Sequence, residues 1–197
     1  MKCLVVVAHP LADSLCAALA REVIATLAAA GHEVTVEDLY RAEFAPALTA
    51  AERQTYYRPP FDAAAIATHA ERLLAAEALV LVFPTWWFGM PAMLKGWFDR
   101  VWAPGIAYDH ASDLGAIKPR LHGLRQTLAV TTLGAPWWVD RFVMRQPVKR
   151  ILKLALLHTC APACRFDMLS LHGAEKTTPD QVRNFMSRIR QSLRAWS

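Results

Sequence analysis

The chain has 197 residues, of which 54% are hydrophobic and 20% are charged. This composition excludes a disordered chain, and the length suits one domain with a sizeable buried core. The net charge of +5 is a mild excess of basic groups, which by itself selects neither nucleic acid, nor a membrane surface, nor an anionic ligand.

Neither the cysteines nor the apolar runs indicate export or a membrane. The four cysteines form no CxxC pair, and the closest two, Cys160 and Cys164, match neither a zinc site nor a redox motif. We therefore expect small buried hydrophobic side chains rather than metal ligands. The apolar start is too short for a signal peptide, because His9 and Pro10 interrupt it, and no run reaches the roughly 18 apolar residues of a membrane span. These features predict a cytoplasmic protein.

The first half of the chain alternates between buried strands and amphipathic helices. Short apolar or alternating runs indicate the strands, and apolar residues at helical spacing indicate the helices. The pattern predicts, in order, a strand Cys3–Ala8, a helix from Leu15 to about Ala30, a strand Glu33–Glu37, a connection Arg41–Phe61, a helix from Asp62 to about Ala76 and a strand Leu79–Phe83. Asp13 or Ser14 would cap the first helix, and Asp62 the second.

The second half continues the alternation. It predicts a helix Pro91–Trp102, an irregular stretch Ala103–Gly123, a strand Gln126–Thr132, a helix Val139–Leu157, a strand Arg165–Ser170 and a last helix from Pro179 to near Trp196. Strands alternating with helices predict an α/β fold, in which a parallel sheet has helices on both faces. Five strands indicate the flavodoxin-like order 2-1-3-4-5, with the ligand at the carboxyl ends of strands 1, 3 and 4. We expect one domain over residues 1–197.

Three loops should meet at that edge: His9–Ser14, Pro84–Gly89 and Thr131–Gly134. The first has neither a dinucleotide fingerprint nor a Walker motif. It opens a helix, however, and the backbone N–H groups of a helix N-terminus favour a phosphate. Here those groups belong to Ser14, Leu15 and Cys16. The alternative is a plain N-cap with the His9 ring hydrogen-bonded inside the turn.

The second and third loops carry bulky aromatics where turns usually carry small or polar residues. Backbone N–H groups of the Pro84–Gly89 loop could reach the polar edge of a planar ring, while Trp87 or Phe88 packs on it. Core or dimer contacts are the alternative for these aromatics. The hydroxyls of Thr131 and Thr132 end the fourth strand, and Trp137 and Trp138 follow them closely. An exposed aromatic cluster of this kind favours a ligand or a partner.

Together these segments resemble the NAD(P)H:quinone oxidoreductases of the DT-diaphorase type, which are flavoproteins with a flavodoxin-like fold. The resemblance covers nearly the whole chain, and the block from Phe83 to Val101 is its most specific part. The matching segments are Ala8-His9 with Ser14, Asp38-Leu39-Tyr40, Phe83 to Pro91, Leu94 to Val101, Ala107-Tyr108, Thr131-Thr132 and, more weakly, Leu157-His158 with Cys160 and Thr178-Pro179.

The resemblance implies a flavin whose phosphate binds the loop from His9 to Cys16. Its ring would lie over the segment Pro84, Thr85, Trp86, Trp87 and Phe88, and against Thr131, Thr132 and Gly134. Members of the family are typically homodimers, with each ring near the subunit interface. The substrate pocket would then be lined by Phe88, Trp137 and Trp138, with Tyr108 and His110 facing the site of the partner subunit.

The chain departs from the family at one point that bears on chemistry. Well-studied members carry a Tyr and a His after the Thr-Thr-Gly turn, thought to assist hydride and proton movement, whereas this chain has Ala135, Pro136, Trp137 and Trp138. The catalytic acid or base therefore stays unknown. Arg183 lies where FAD-binding members place an Arg near the adenosine half, which favours FAD, with FMN and a merely solvated Arg as the alternatives.

The predicted helix Val139–Leu157 has a basic face, because Arg141, Arg145 and Lys149 are spaced by four residues. A solvated face is one interpretation, and attraction of the phosphates of NAD(P)H is another. Nucleic acid is the third, but no binding motif accompanies the charge.

The leading hypothesis is a flavin-dependent NAD(P)H oxidoreductase that transfers a hydride from NAD(P)H through the flavin to a quinone or a similar planar acceptor. One alternative is a non-enzymatic flavin-binding module that serves as a regulatory or ancillary subunit. Another is a flavin reductase that supplies reduced flavin to a partner enzyme. No sequence feature separates the last from the first.

Overall fold

The computed structural model describes residues 1–111 and 115–196. Residues 112–114, within the stretch predicted as irregular, and residue 197 lie outside the described residues. The strands are Lys2–Val7 (β1), Glu33–Asp38 (β2), Ala78–Pro84 (β3), Tyr108–Asp109 (β4), Lys118–Pro119 (β5), Gln126–Leu133 (β6) and Arg165–His172 (β7). The α-helices are Leu15–Ala29 (α1), Ala50–Thr55 (α2), Ala67–Ala75 (α3), Ala92–Val101 (α4), Pro147–Arg150 (α5), His158–Cys160 (α6) and Pro179–Arg194 (α7).

Five strands form one parallel sheet in the order β2-β1-β3-β6-β7. Counted among the strands of this sheet the order is 2-1-3-4-5, so the predicted α/β fold and strand order are confirmed. The short strands β4 and β5 form a separate antiparallel pair within the stretch predicted as irregular. The prediction missed them because a strand of two residues leaves no periodic pattern.

Side chains of the central strand β3 alternate between two helix layers. Leu79, Leu81 and Phe83 belong to a core cluster that includes residues of α3 and α4. Val80 and Val82 face the opposite cluster, which includes residues of α1 and α7. Because every residue of β3 is buried, the strand reads as one continuous apolar run, as a strand covered on both faces must. Helices therefore lie on both faces of the sheet, as predicted.

The prediction of a single helix over Val139–Leu157 is wrong. The segment starts with a π-helical turn, Val139–Val143, and then breaks where Arg145 and Gln146 adopt left-handed backbone angles with φ of 58° and 49°. Pro147 explains the break, because a proline disfavours the helical conformation of the residue before it. A second π-helical turn, Ile151–Leu157, follows α5. The spacing of Arg141 and Arg145 therefore does not place them on one helix face.

Asp62 does not cap α3, contrary to the prediction. Its carboxylate instead accepts a hydrogen bond from the backbone N–H of Ala64 at 3.2 Å. A 3₁₀ turn, Ala64–Ile66, precedes the α-helix, which has no side-chain cap. At α1 the predicted cap is confirmed, since the Ser14 hydroxyl accepts from the N–H of Ala17. Within the described residues no helix has the length and apolar character needed to cross a membrane.

Helix α4 is fixed by a buried carboxylate of β2. Glu37 is 2% exposed, and it accepts hydrogen bonds from Trp97 Nε1 at 3.0 Å and from Arg72 at 3.3 Å. His69 Nδ1 lies 3.1 Å from the same carboxylate but lacks hydrogen-bond geometry. Donors from α3 and α4 thus bind the same carboxylate on β2. These hydrogen bonds offset the free-energy cost of burying its charge.

A second buried carboxylate ties α4 to α2. Arg100 donates to Glu52 through Nε at 2.9 Å and Nη2 at 2.6 Å, and both side chains are almost fully buried. The N–H of Thr49 also donates to Glu52 at 2.7 Å. Burial raises the pKa of Glu52, but the hydrogen bonds from Arg100 and Thr49 outweigh it, so the pKa lies below its ordinary value. Near these contacts a Cβ at Gly96 would overlap Pro46.

We expect Glu52→Ala to lower the free energy of unfolding by about 3–5 kcal/mol, because Arg100 would be left buried without its counter-charge. The native pKa is depressed, so the carboxylate stabilises the fold above its ordinary pKa of 4.5 and loses that contribution as the pH falls through the lower native value. Urea titrations between pH 3 and pH 7 measure both effects. The partly exposed pair Glu22–Arg190 provides the control, in which Glu22→Ala should cost less than Glu52→Ala, about 1 kcal/mol. An equal cost at the two sites would contradict the assignment.

Candidate functional site

The three predicted loops lie side by side at the carboxyl edge of the sheet. β1 pairs with β3, and β3 pairs with β6 in a register that sets Phe83 beside Thr131 and Pro84 beside Thr132. The chain leaves each of these strands at the same edge, because the strands are parallel. The predicted convergence of the loops is confirmed.

The first loop is closed by side-chain hydrogen bonds. The N–H of Leu11 donates to His9 Nδ1 at 3.1 Å, and the Ser14 hydroxyl donates to the Leu11 carbonyl at 2.8 Å. His9 is therefore bonded inside the turn, as in the alternative interpretation. The N–H groups of Leu15 and Cys16 belong to the first turn of α1, where no helical carbonyl reaches them. They are the donors that this loop presents to an anion. The N–H of Ser14, predicted as a third donor, instead donates to the Leu11 carbonyl at 3.4 Å.

Cys16 contributes its backbone and not its thiol. The side chain is 3% exposed and packs in the core with α1 and α7. Burial raises the pKa of this thiol to about 12, so it stays protonated and unreactive. Burial likewise raises the pKa of Cys3 to about 11 and that of Cys160 to about 12. These three thiols are buried, as expected for small hydrophobic side chains, whereas Cys164 is only partly buried.

The second loop is a tight two-residue turn. The N–H of Trp86 donates to the Gly89 carbonyl at 3.1 Å, and the N–H of Gly89 donates back at 2.9 Å. Between them Trp87 and Phe88 have φ of 51° and 56°. A turn with positive φ at both central residues normally carries Asn-Gly or Asp-Gly. Two aromatics in this conformation cost roughly 1–2 kcal/mol each, which marks the turn as strained.

This turn leaves two backbone donors free. The N–H of Thr85 donates to the Thr132 carbonyl at 2.7 Å, and the N–H groups of Trp86 and Gly89 are used within the turn. Within residues 1–111 and 115–196, the N–H groups of Trp87 and Phe88 have no acceptor. The Trp87 side chain is fully exposed beside them. Adjacent free donors and an exposed aromatic face suit a planar ligand that has acceptors along one edge.

The third loop supports the second. Thr131 is 1% exposed, and its hydroxyl shares a hydrogen bond of 2.7 Å with that of Thr85. Thr132 supplies the carbonyl that accepts from Thr85. The two threonines therefore position the Pro84–Gly89 turn, Thr131 through its hydroxyl and Thr132 through its carbonyl. Trp137 and Trp138 follow, each more than half exposed.

Tyr108 and His110 lie in a separate aromatic cluster. The Tyr108 hydroxyl donates to that of Tyr56 at 3.2 Å, and the His110 ring lies 4.7 Å from the ring of Tyr57. Burial, helped by the bond to Tyr56, raises the pKa of Tyr108 far above its usual value, so the phenol stays protonated. A cavity of about 400 Å³ beside this cluster is lined by His110 and Phe61.

Arg183 is exposed on α7 and pairs with Asp180 one turn earlier. Thr178 caps α7 as Ser14 caps α1, and both helices follow parallel strands on the same face of the sheet. Their N-termini therefore lie at the same edge. The structure thus brings Arg183 to the side of the sheet that carries the first loop, with its guanidinium directed to solvent and to Asp180.

Three polar residues at this edge were missed by the sequence analysis. His172 ends β7, and its Nε2 lies 3.2 Å from a carboxylate oxygen of Asp140, which is 7% exposed. A Cβ at Gly134 would lie 2.8 Å from the carboxylate of Glu175. No sequence pattern joins Asp140 to His172. The register of β6 with β7 sets Leu133 beside His172, and the loop that follows β6 then brings Asp140 to the same strand end.

Comparison with known proteins assigns the chain to a family. The family model described as the flavodoxin-like fold matches residues 1–196. The chain belongs to this family. It is similar to an uncharacterized NAD(P)H oxidoreductase of Escherichia coli, YcaK, at 37% identity over 119 residues, which cover 57% of this chain and 58% of that protein. It is also similar to NAD(P)H dehydrogenase (quinone) 1 of Cavia porcellus, at 30% identity over 152 residues, which cover 68% of this chain and 54% of that protein.

The chain spans about half the length of the curated relatives it matches. Among solved structures, it is similar to an NAD(P)H:quinone oxidoreductase from Methanothermobacter marburgensis, with a TM-score of 0.83 and 25% identity. That match covers 100% of this chain and 96% of the other. The resemblance drawn from the sequence is confirmed for family and fold.

Replacing Trp87 and Phe88 by Asn and Gly should stabilise the protein by about 1–2 kcal/mol, because both new residues accept a positive φ. Denaturant unfolding of the double variant W87N/F88G measures the change. Trp138→Asn is the control, since Trp138 is an exposed aromatic with φ of −71° and should give no gain. Unchanged or lower stability in the double variant would show that the turn is not strained.

Proposed function

We propose that the chain binds a flavin at this edge and acts as an NAD(P)H oxidoreductase that reduces a quinone or a similar planar acceptor. The observation that carries the proposal is the pair of free N–H groups at Trp87 and Phe88, next to exposed aromatic faces. A flavin ring is planar and has acceptor atoms along one edge, so these residues fit it. The names of the curated relatives point to the same chemistry.

A flavin held by these residues would supply the chemistry of hydride transfer between NAD(P)H and the acceptor. The residues of the chain orient the reactants. The N–H groups of Trp87 and Phe88 would hold the polar edge of the ring, and oriented dipoles of this kind stabilise the negative charge of a reduced ring. The N–H groups of Leu15 and Cys16 would hold the phosphate. The aromatic rings of Trp87, Trp137 and Trp138 would stack on a flat acceptor.

Three finer assignments belong to this proposal. The flavin is FAD, with FMN as the alternative, because Arg183 lies on the first turns of α7 at the same edge as the phosphate loop. The protein is a homodimer of one-domain chains, which accounts for the exposed aromatics and for a second aromatic cluster at Tyr108 and His110. It works in the cytoplasm, where thiols such as the four free cysteines stay reduced.

Purified protein should carry a flavin, visible in its absorbance spectrum, and should oxidise NADH or NADPH with a benzoquinone. Trp87→Ala should keep the flavin but lower kcat/KM for the quinone about tenfold, because a stacking surface is lost. Leu74→Ala, an exposed apolar residue on α3, is the matched control and should change nothing.

The outcomes separate the competing functions. A protein that cannot be loaded with flavin would refute the proposal. Bound flavin without turnover would support a regulatory or ancillary subunit. Weak flavin retention, with faster oxidation of NAD(P)H by free flavin than by the quinone, would support a flavin reductase.

Arg183→Ala should weaken the binding of FAD about tenfold and leave FMN binding unchanged, because only FAD has an adenosine half for the guanidinium to contact. Titration of the apoprotein with each flavin, followed by fluorescence quenching, measures both constants. Arg188→Ala, on the same helix, is the control. Equal loss for the two flavins would contradict the role of Arg183, and tighter binding of FMN would favour FMN as the cofactor.

A further inference from the structure

The loop that follows β6, residues 134–146, is not held by an apolar core. Its large side chains Trp137, Trp138, Phe142 and Val143 are all more than half exposed. All residues of this loop are described, and Asp140 is the one that is buried. A loop whose aromatics face outwards gains little from the hydrophobic effect, so its position depends on polar contacts.

Those polar contacts converge on the end of β7. Asp140 pairs with His172 at 3.2 Å, and the N–H of Gly173 donates to the Ala135 carbonyl at 3.3 Å. The absence of a side chain at Gly134 lets the carboxylate of Glu175 approach closely. His172 and Gly173 therefore contribute two polar anchors to the loop, and Glu175 lies against Gly134.

The Asp140–His172 contact is the anchor that side-chain substitution can test. The two side chains are 10% and 23% exposed, so solvent screens their interaction only in part. Breaking a largely buried pair leaves an uncompensated polar group, which costs more than breaking an exposed one.

The ends of β6 and β7 position two exposed aromatic surfaces, that of Trp87 and that of Trp137 with Trp138. The register sets Leu133 beside His172 and Thr132 beside Leu171, and the Thr132 carbonyl holds the Pro84–Gly89 turn through Thr85. Trp87 is thus fixed from β6, while Trp137 and Trp138 are fixed from β7. The positions of the two surfaces therefore follow from two adjacent strands of the sheet.

We propose that Asp140 and His172 are positioning residues that hold the 134–146 loop and thereby determine which planar acceptors fit. The choice of acceptor in this proposal rests on the proposed quinone reduction. The role of the pair in holding the loop rests only on the contacts described above. Loss of the pair would release Trp137 and Trp138. An acceptor with two fused rings, which needs both surfaces, would lose more than an acceptor with one ring.

The test compares His172→Ala with His172→Gln, whose amide can still donate to Asp140. Hydrogen exchange of the amides in residues 134–146, followed by mass spectrometry on the purified protein, needs no activity. We expect exchange on the order of tenfold faster in the Ala variant and near wild type in the Gln variant. Arg190→Ala, which breaks the Arg190–Glu22 pair between α7 and α1, is the control and should not change this loop. Unchanged exchange in His172→Ala would overturn the proposal.

The kinetic arm measures kcat/KM for a naphthoquinone and for a benzoquinone. The ratio should fall about fivefold in His172→Ala, mostly through KM for the naphthoquinone, and should recover in His172→Gln. Equal losses in the two variants would assign His172 a proton-transfer role and overturn the positioning role. If His172→Ala does not fold, Asp140→Asn decides by the same measurements. If the wild-type protein reduces no quinone, the proposed function fails, while the exchange experiment still decides the role of the pair.

Discussion

The candidate site depends on how helix α4 is anchored, because α4 begins directly after the strained turn. Two buried carboxylates hold it, Glu37 through Trp97 and Glu52 through Arg100. Gly96, next to Trp97, lets the helix approach Pro46. An interior charge is costly unless it is fully paired, so a shift of the helix would leave at least one carboxylate or donor without its partner. The start of α4 therefore has little freedom.

A fixed α4 explains how the turn at Trp87 and Phe88 can persist. On one side the turn leaves β3, which is paired with β6 along its whole length, and Thr85 is bonded twice to the Thr131-Thr132 pair. On the other side it enters α4. Strained backbone survives only where its surroundings determine it on both sides. The benefit of the strain is geometric, since left-handed angles turn two successive N–H groups and a Trp side chain out of the fold.

The sheet was predictable because its signal is local: β3 and β6 are apolar runs, and alternation with helices determines a parallel order. The convergence of the loops followed from that topology. The break at Arg145 and Gln146 was obscured by an apolar pattern that continues past Pro147. The pairs Glu37–Trp97 and Asp140–His172 could not be predicted, because each joins residues far apart in sequence through packing and register alone.

In the proposed reaction, the proton that a quinone requires has no donor in the two segments that carry Trp87, Trp137 and Trp138. Neither residues 84–89 nor residues 134–138 contain a titratable side chain. At the same edge the ring of His9 accepts from Leu11, and that of His172 is held by Asp140. Trp87 is fully exposed, so solvent reaches the acceptor side of the site. In the proposed reaction water can therefore protonate the reduced acceptor, and the chain contributes orientation and oriented dipoles rather than an acid.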